Sequence, residues 1–363
     1  MSSPDLLGIA ARYAPLPARR GLPAILGLAL LVAGCAPKEA PVYEEQAYVF
    51  GTLVEIKIAG EPEGRARELA GRVFQEFGRL HGELHAWKPG PLENLNQALA
   101  QGRSEEVNAE TAAIIRDAAR HAQRSRDLFN PAIGDLVRLW GFHADEFVPR
   151  LPDRSAIARL VAARPSLSDV TVDSLTVSSR NPAVRLDFGG YAKGYALDLA
   201  NRLLRDQGVK SALINIGGNV LAIGTRGDRP WRIGIQHPRQ PSALATLELR
   251  DGEAVGTSGD YQRYFMLDGR RYCHIIDPRT GFPAEGVQAA TVIVPPGPEA
   301  GTLSDVATKP LFISGVSGWR DAAKDLGVEQ ALLVDGEGVI HITSALARRL
   351  RILDKSARVE EVP

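Results

Sequence analysis

The chain has 363 residues, enough to bury a large core without disulfide staples. Lysine plus arginine equals aspartate plus glutamate at 43 each, so no overall field draws the protein to nucleic acid or to an anionic membrane surface. A hydrophobic content of 44% excludes an intrinsically disordered chain.

In chain order, the first signal is Arg19 and Arg20 ahead of "GLPAILGLALLVAGC". That apolar run is too short to span a bilayer as a stable helix. With small residues before Cys35, it resembles a bacterial lipoprotein signal. The resemblance implies cleavage that removes residues 1–34 and acylation of Cys35. A plain secretory signal with an incidental cysteine is the alternative. If Cys35 carries lipid, Cys273 has no disulfide partner. The segment "APKEAPVYEEQ" is rich in Pro and Glu and reads as a tether, giving a lipid-anchored linker over 35–47 and one folded domain over 48–363. The expected location is the periplasmic side of the cell envelope, at a membrane, with the inner membrane the first choice.

"YVFGTLVEIKIAG" alternates apolar and polar residues and predicts a strand. "PEGRARELAGRVFQEFGRLHGEL" places Ala66, Leu69, Val73, Phe77 and Leu80 at helical spacing. "NAETAAIIRDAARHAQRSRD" predicts a second helix capped by Asn108. Beyond Leu151, short apolar runs recur with turns between them: "DVTVDSLTVSS", "SALINI", "NVLAIG", "WRIGIQ", "ATLELR", "EAVGTSG", "QRYFMLDG" and "QAATVIVPP". The short connections predict antiparallel pairing. Helices are expected after Lys193, Leu303 and Ser317. The fold class is α+β: a large mixed, mostly antiparallel sheet with flanking helices, in a two-lobed single domain.

"RLDFGGYAKGYALD" carries the first chemistry. "AVRLDF" reads as the end of a strand and "YAKGYALDLANRLLRDQG" as a helix, so Gly189 and Gly190 fall at a strand-to-helix turn. Such a turn presents backbone N–H groups to an anion, and Lys193 can reach back as a point charge for a phosphate. An ordinary turn with a solvated lysine has the same sequence. The "DFG" is not that of a protein kinase, because no Gly-rich loop with a strand lysine and no H-R-D accompany it. Nor does "GGYAKGY" have Walker spacing.

Three further stretches add to this one: "INIGGNVLAIG" with Gly217 and Gly218, "VGTSGDYQRYFMLDGRRYCHIIDPRTGFP" and "FNPAIGDLVRLWGF". Together they resemble the FAD:protein FMN transferases, the ApbE family, from Gly51 to about Gly315. The resemblance implies FAD as substrate and Mg2+ as cofactor. It also implies transfer of FMN to a threonine hydroxyl of a partner protein with release of AMP, and acceptors among the membrane redox complexes. His274 is then the expected base, since a hydroxyl nucleophile needs a proton acceptor near neutral pH. Asp305 and the Gly190 carbonyl are the implied metal ligands, and Asp187 and Lys193 match FAD contacts. Trp87 falls where the family often has a tyrosine beside the flavin or adenine, and Phe50, also matched to a cofactor-binding position, where many members carry methionine before Gly51 and Thr52; hydrophobic core explains either ring as well. Phe129 and Asn130 match a further contact region.

One departure stands out. Where the family places a threonine metal ligand four residues after the aspartate, this chain has Lys309, with Thr308 one residue earlier. On a helix that offset turns the side chain by about 100°, which puts both Thr308 as a substitute and the metal itself in question. "HAWKPGPLENLN" likewise lacks the usual serines but keeps Asn94 and Asn96. The alternative functions are a lipoprotein that holds FAD or FMN without turnover, a FAD pyrophosphatase, and a serine hydrolase built on Ser258, His274 and Asp277. The last lacks a nucleophile elbow.

Overall fold

Nine strands of the central sheet lie side by side in the order in which the chain makes them. A computed structural model describes residues 41–144 and 146–362. The leader, Cys35 and the first part of the tether lie outside them. We number the strands of this sheet β1 Val42–Val49, β2 Thr52–Ala59, β3 Ala212–Ile216, β4 Asn219–Ile223, β5 Ala254–Gly259, β6 Val287–Val294, β7 Gln330–Asp335, β8 Ile340–Thr343 and β9 Val359–Val362. Neighbours are antiparallel from β1 to β8, and β9 joins β8 in parallel. Residues 40–363 form one unit by their internal contacts.

Both faces of the sheet are covered. Helices α1 (Glu63–Glu83), α6 (Ala192–Asp206) and α7 (Ala300–Asp325) bury Phe77, Leu197, Leu311, Phe312 and Trp319 against Ile56, Ile214, Leu221, Val292 and Leu333. On the other face a three-stranded sheet of Trp231–Gln236, Ala243–Leu249 and Arg351–Ile352 sets Trp231, Ile235 and Leu247 against Ala222, Val255, Ile293 and Leu332. Alternation explains the division: Leu221 and Ile223 of β4 face the helices, and Val220 and Ala222 face the small sheet.

The remaining α-helices are α2 (Pro91–Ala100), α3 (Ala109–Arg124), α4 (Gly134–Leu139), α5 (Arg154–Ala163) and the one-turn α8 (Ser344–Ala347). α1 forms where the apolar stripe predicts it, with Ala66, Leu69, Val73, Phe77 and Leu80 all buried. Asn108 caps α3, its side chain accepting from the Thr111 amide at 2.7 Å. A satellite core joins Leu136 of α4, its C-cap Trp140 and Ile157 of α5 to Phe265 and Tyr272 of the hairpin Tyr264–Cys273.

Several expectations need correction. Residues 42–47, which the sequence assigns to the tether, belong to the folded domain, because β1 pairs along its full length with β2. "YVFGTLVEIKIAG" is not one strand. Phe50 and Gly51 turn it back on itself with φ of 56° and 69°, the geometry of a two-residue hairpin turn. "AVRLDF" is extended but not a strand of any sheet. A single bridge joins Arg185 to Ile133, while the Arg185 and Asp187 amides donate to the carbonyls of Ala132 (3.1 Å) and Pro131 (2.8 Å). α2, α5 and strands β7 to β9 had no prediction.

α6 and α7 cross at glycine on glycine. A Cβ on Gly301 would stand 2.5 Å from the Gly194 carbonyl oxygen and 2.7 Å from Leu197 Cβ. One turn along α6, buried Asp198 accepts from the Gly301 and Thr302 amides, both at 2.7 Å, and from the Thr302 hydroxyl. It thereby caps the N-terminus of α7 from a neighbouring helix. Burial nevertheless pushes its carboxyl up to about 6. Gly301→Ala should therefore cost about 1–3 kcal/mol or more, the range for overpacking a dense core. Urea unfolding checks this: an unchanged midpoint would show that the crossing has slack.

Candidate active site

The site grows from that crossing. Asp305 lies one turn beyond Gly301 on α7 and is 1% exposed. Its Oδ2 accepts from the Gly194 amide at 3.0 Å, a bond available only because both residues at the crossing lack side chains. Its Oδ1 is paired with the Lys309 ammonium, which also donates to the Asp305 carbonyl at 2.7 Å. Lys193, on the first turn of α6, places its Nζ 3.7 Å from the same Oδ1. One carboxylate thus sits between two ammonium groups.

The charges answer one another. Burial alone would raise the Asp305 carboxyl, but Lys193 and Lys309 outweigh it and hold it below the usual range. Burial brings the Lys309 ammonium down to about 8, partly opposed by Asp305. It remains the charged form at neutral pH.

Gly190 stands against this cluster. A Cβ there would meet Lys309 Cε at 3.3 Å and the Phe129 ring at 3.8 Å, so the missing side chain makes room for the lysine stem. The turn itself is tied by the Gly189 amide, which donates to Asp187 Oδ1 at 2.8 Å. Burial pushes the Asp187 carboxyl up, and the Gly189 amide, Arg263 and the Trp87 indole oppose that shift. The segment before it is fixed by Asn96 of α2. Asn96 donates to the Leu186 carbonyl at 2.9 Å and accepts from the Leu186 amide at 2.7 Å.

His274 follows the hairpin strand Arg270–Cys273. Its amide and its Nδ1 both lie on the Arg263 carbonyl, at 3.0 and 3.2 Å, which leaves Nε2 for chemistry. Burial, then Arg263 and Lys193, hold its pKa down to about 3, so the ring is neutral. Lys309 contributes to the same shift, which brings His274, Lys193 and Lys309 into one field.

The other predicted residues divide. Trp87 stacks under the Arg185 guanidinium at 4.9 Å and beside His143 at 5.5 Å, on the Asp187 side of the site. Phe50 packs its ring on Phe77 and His81, and a Cβ on its neighbour Gly51 would stand 3.7 Å from Arg263 Nη1. Asn130 has its side chain fully engaged: it donates to the Pro165 carbonyl and accepts from the Ala132 amide, both at 2.9 Å. It shapes the loop that pairs with 185–187. Thr308 donates its hydroxyl to the Asp305 carbonyl at 2.7 Å, the same carbonyl that accepts from Lys309, and lies 2.7 Å from Ser258 Oγ. A serine triad does not form, because Ser258 is partnered by Thr308 while Asp277 binds Arg279 at 2.8 Å.

Two residues escaped the sequence. Arg263 is held by the carbonyls of Phe142 and Ala144 at 2.9 and 3.1 Å, and nothing in "DYQRYF" separates it from a surface arginine. Asn219 starts β4. Its Oδ1 accepts from the Thr257 amide at 3.3 Å, and its buried Nδ2 faces Asp305 outside hydrogen-bonding geometry.

Magnesium takes near-octahedral oxygen ligands at about 2.0–2.1 Å. Here both Asp305 oxygens are engaged, the Thr308 hydroxyl is taken up by Ser258 and the Asp305 carbonyl, and an ammonium occupies the fourth position after Asp305. A divalent ion about 4 Å from that ammonium would be repelled by roughly 8 kcal/mol at an effective dielectric of about 20. The residues present do not fit the metal.

The profile of the ApbE family matches residues 50–333. A FAD:protein FMN transferase of Rhodobacter capsulatus is 41% identical over 315 residues, covering 87% of this chain and 60% of that protein, so the chain spans well under two thirds of that relative. One from Klebsiella pneumoniae (strain 342) is 33% identical over 88% of this chain and 97% of its own length. The crystal structure of the ApbE protein of Thermotoga maritima superposes with a TM-score of 0.78 at 31% identity, covering 85% of this chain and 99% of that one. The apo flavinyl transferase ApbE of Pseudomonas stutzeri gives 0.74 at 28% identity, over 87% and 98%. By its sequence match and its fold, this chain belongs to the ApbE family.

Proposed function

We propose that the protein transfers the FMN moiety of FAD to a threonine hydroxyl of a partner protein and releases AMP. The observation that carries this reading is the convergence of Lys193, Lys309 and neutral His274 at a glycine turn. Such a site grips a diphosphate and serves an alcohol.

The two ammoniums and Arg263 set positive charge where a diphosphate carries negative charge. The Gly189–Gly190 backbone lets the phosphates approach closely. Trp87 offers an aromatic face on the Asp187 side for a ring of the dinucleotide. The acceptor oxygen attacks the phosphorus of the FMN half. A new P–O bond forms and the P–O bond to the AMP half breaks, with its electron pair leaving on the AMP phosphate. The hydroxyl proton passes to His274 Nε2. Bound phosphates offset the cations that depress this imidazole, so substrate itself raises the basicity of His274. Positioning and charge do most of the work in such a displacement.

The acceptor we infer is a flavin-bearing subunit of a membrane redox complex. The leader ending at Cys35 supports an enzyme anchored by lipid on the periplasmic side of the inner membrane. The family resemblance implies magnesium, but no step here depends on it.

His274→Ala should abolish transfer and leave FAD affinity within about threefold, since a base acts on the nucleophile and not on ground-state binding. In-gel flavin fluorescence of an acceptor incubated with FAD, together with an AMP assay, reads the first. Fluorescence titration reads the second. Flavinylation at the parent rate would refute the role.

The depressed pKa also bears on stability. The folded state holds His274 at about 3 against an ordinary 6.5, so the unfolded chain takes up this proton first as pH falls. Stability from this group is complete above about 6.5 and is lost progressively towards about 3. His274→Gln should flatten the acid limb of a urea-midpoint profile measured between those values. A parallel limb would place the titration elsewhere.

A further inference from the structure

We propose that the Lys309 ammonium is the resident cation of the diphosphate cleft and that, with Lys193, it fills the charge role of a divalent metal, so that this protein works on its dinucleotide without a metal ion at Asp305. The inference rests on the transferase reading and says how that site carries its charge.

The geometry is that of a built-in ion. Lys309 Nζ is held by two oxygens of one residue, the Asp305 carboxylate and the Asp305 carbonyl. Asp305 is in turn fixed through Oδ2 by the Gly194 amide, at a crossing where a Cβ on either glycine would overlap the other helix. The ammonium therefore has a defined place, backed by the core. Its stem passes Gly190, where a Cβ would come within 3.3 Å of Lys309 Cε. The same lysine reaches the field of His274, and Lys193 stands on the other side of the carboxylate. Two cations against one carboxylate leave a net positive charge in a mostly buried wall, and that surplus is what an incoming diphosphate would neutralise.

A lysine kept only to neutralise Asp305 would not need company, since Lys193 is already within ion-pair distance. Nor is the cluster a metal site awaiting its ion. The hydroxyl that could have joined it, Thr308, is spent on Ser258 and on the Asp305 carbonyl. A lysine brings a permanent charge on a flexible stem and three donors to phosphate oxygens. It needs no supply of metal and no dehydration step.

The test has two readouts. AMP release from FAD with an acceptor is measured in EDTA and in graded Mg2+. Mn2+ binding to the same protein, without FAD, is followed by electron paramagnetic resonance. The parent should keep its rate within about twofold in EDTA and bind no Mn2+ at up to roughly millimolar concentration, whereas Lys309→Thr should lose about a hundredfold in EDTA, recover at least about tenfold with Mg2+ and gain a Mn2+ site. Circular dichroism checks that the variant folds. If it does not, the near-isosteric Lys309→Met should lose activity that metal fails to restore. A parent that loses more than about tenfold in EDTA, or binds one Mn2+ per chain tightly, overturns the proposal. No AMP release under any condition would instead sink the transferase reading, while the Mn2+ titration would still decide what the cleft holds.

Discussion

A buried carboxylate between two ammoniums is the constraint on which the site depends. Asp305 can sit 1% exposed only because its charge is answered on every side. The answers come from three elements: an amide and a lysine of α6, a lysine one turn on in α7, and the wall made by β4. Bringing those elements together requires α6 and α7 to touch at Gly194 and Gly301. It also requires β5 to lie directly on α7, where Gly256 faces the Ser304 carbonyl with no room for a side chain. Gly194, Gly256 and Gly301 are thus placed by close approach, not by turn geometry: none has a positive φ, and a Cβ on any of them would overlap a neighbouring backbone.

The nine-stranded sheet holds this arrangement from behind. Its strands follow one another in space as in sequence, and the long excursions between β2 and β3, and between β5 and β6, carry the parts that bear chemistry. The first delivers Trp87, Asp187 and the glycine turn. The second delivers Arg263 and His274. Chemistry on the insertions and rigidity in the sheet is the division expected when function lives on connections positioned by a scaffold.

Much of this was legible. The stripe of α1, the Asn108 cap and the short apolar runs of β3 to β6 are local patterns, and each formed where the residues put it. The Gly189–Gly190 turn and Lys193 stand out from the residues themselves, His274 and Asp305 through a family likeness, and the unusual Lys309 as a departure from it. Other features were not legible for physical reasons. Alternation continues through a two-residue turn, so Phe50 and Gly51 looked like the middle of a strand until their positive φ angles folded it back. The segment 183–188 has strand-like composition, but its partners are a loop and the Asn96 amide, a tertiary arrangement that no local window contains. Asn130 matches a family contact position, and no local pattern shows that its side chain also ties the loop together, through Pro165 and Ala132.

Cys273 precedes the proposed base directly. Its sulfur is 2% exposed, lies near the Ile275 and Ala284 carbonyls, and burial pushes its pKa up to about 12. At neutral pH it is a thiol and not a thiolate, and only the thiolate is a strong nucleophile. On the proposed transferase reading, an exposed sulfur at this place would compete with the acceptor alcohol for phosphorus, and its seclusion removes that competitor. It also leaves alkylating and oxidising reagents little purchase beside the imidazole.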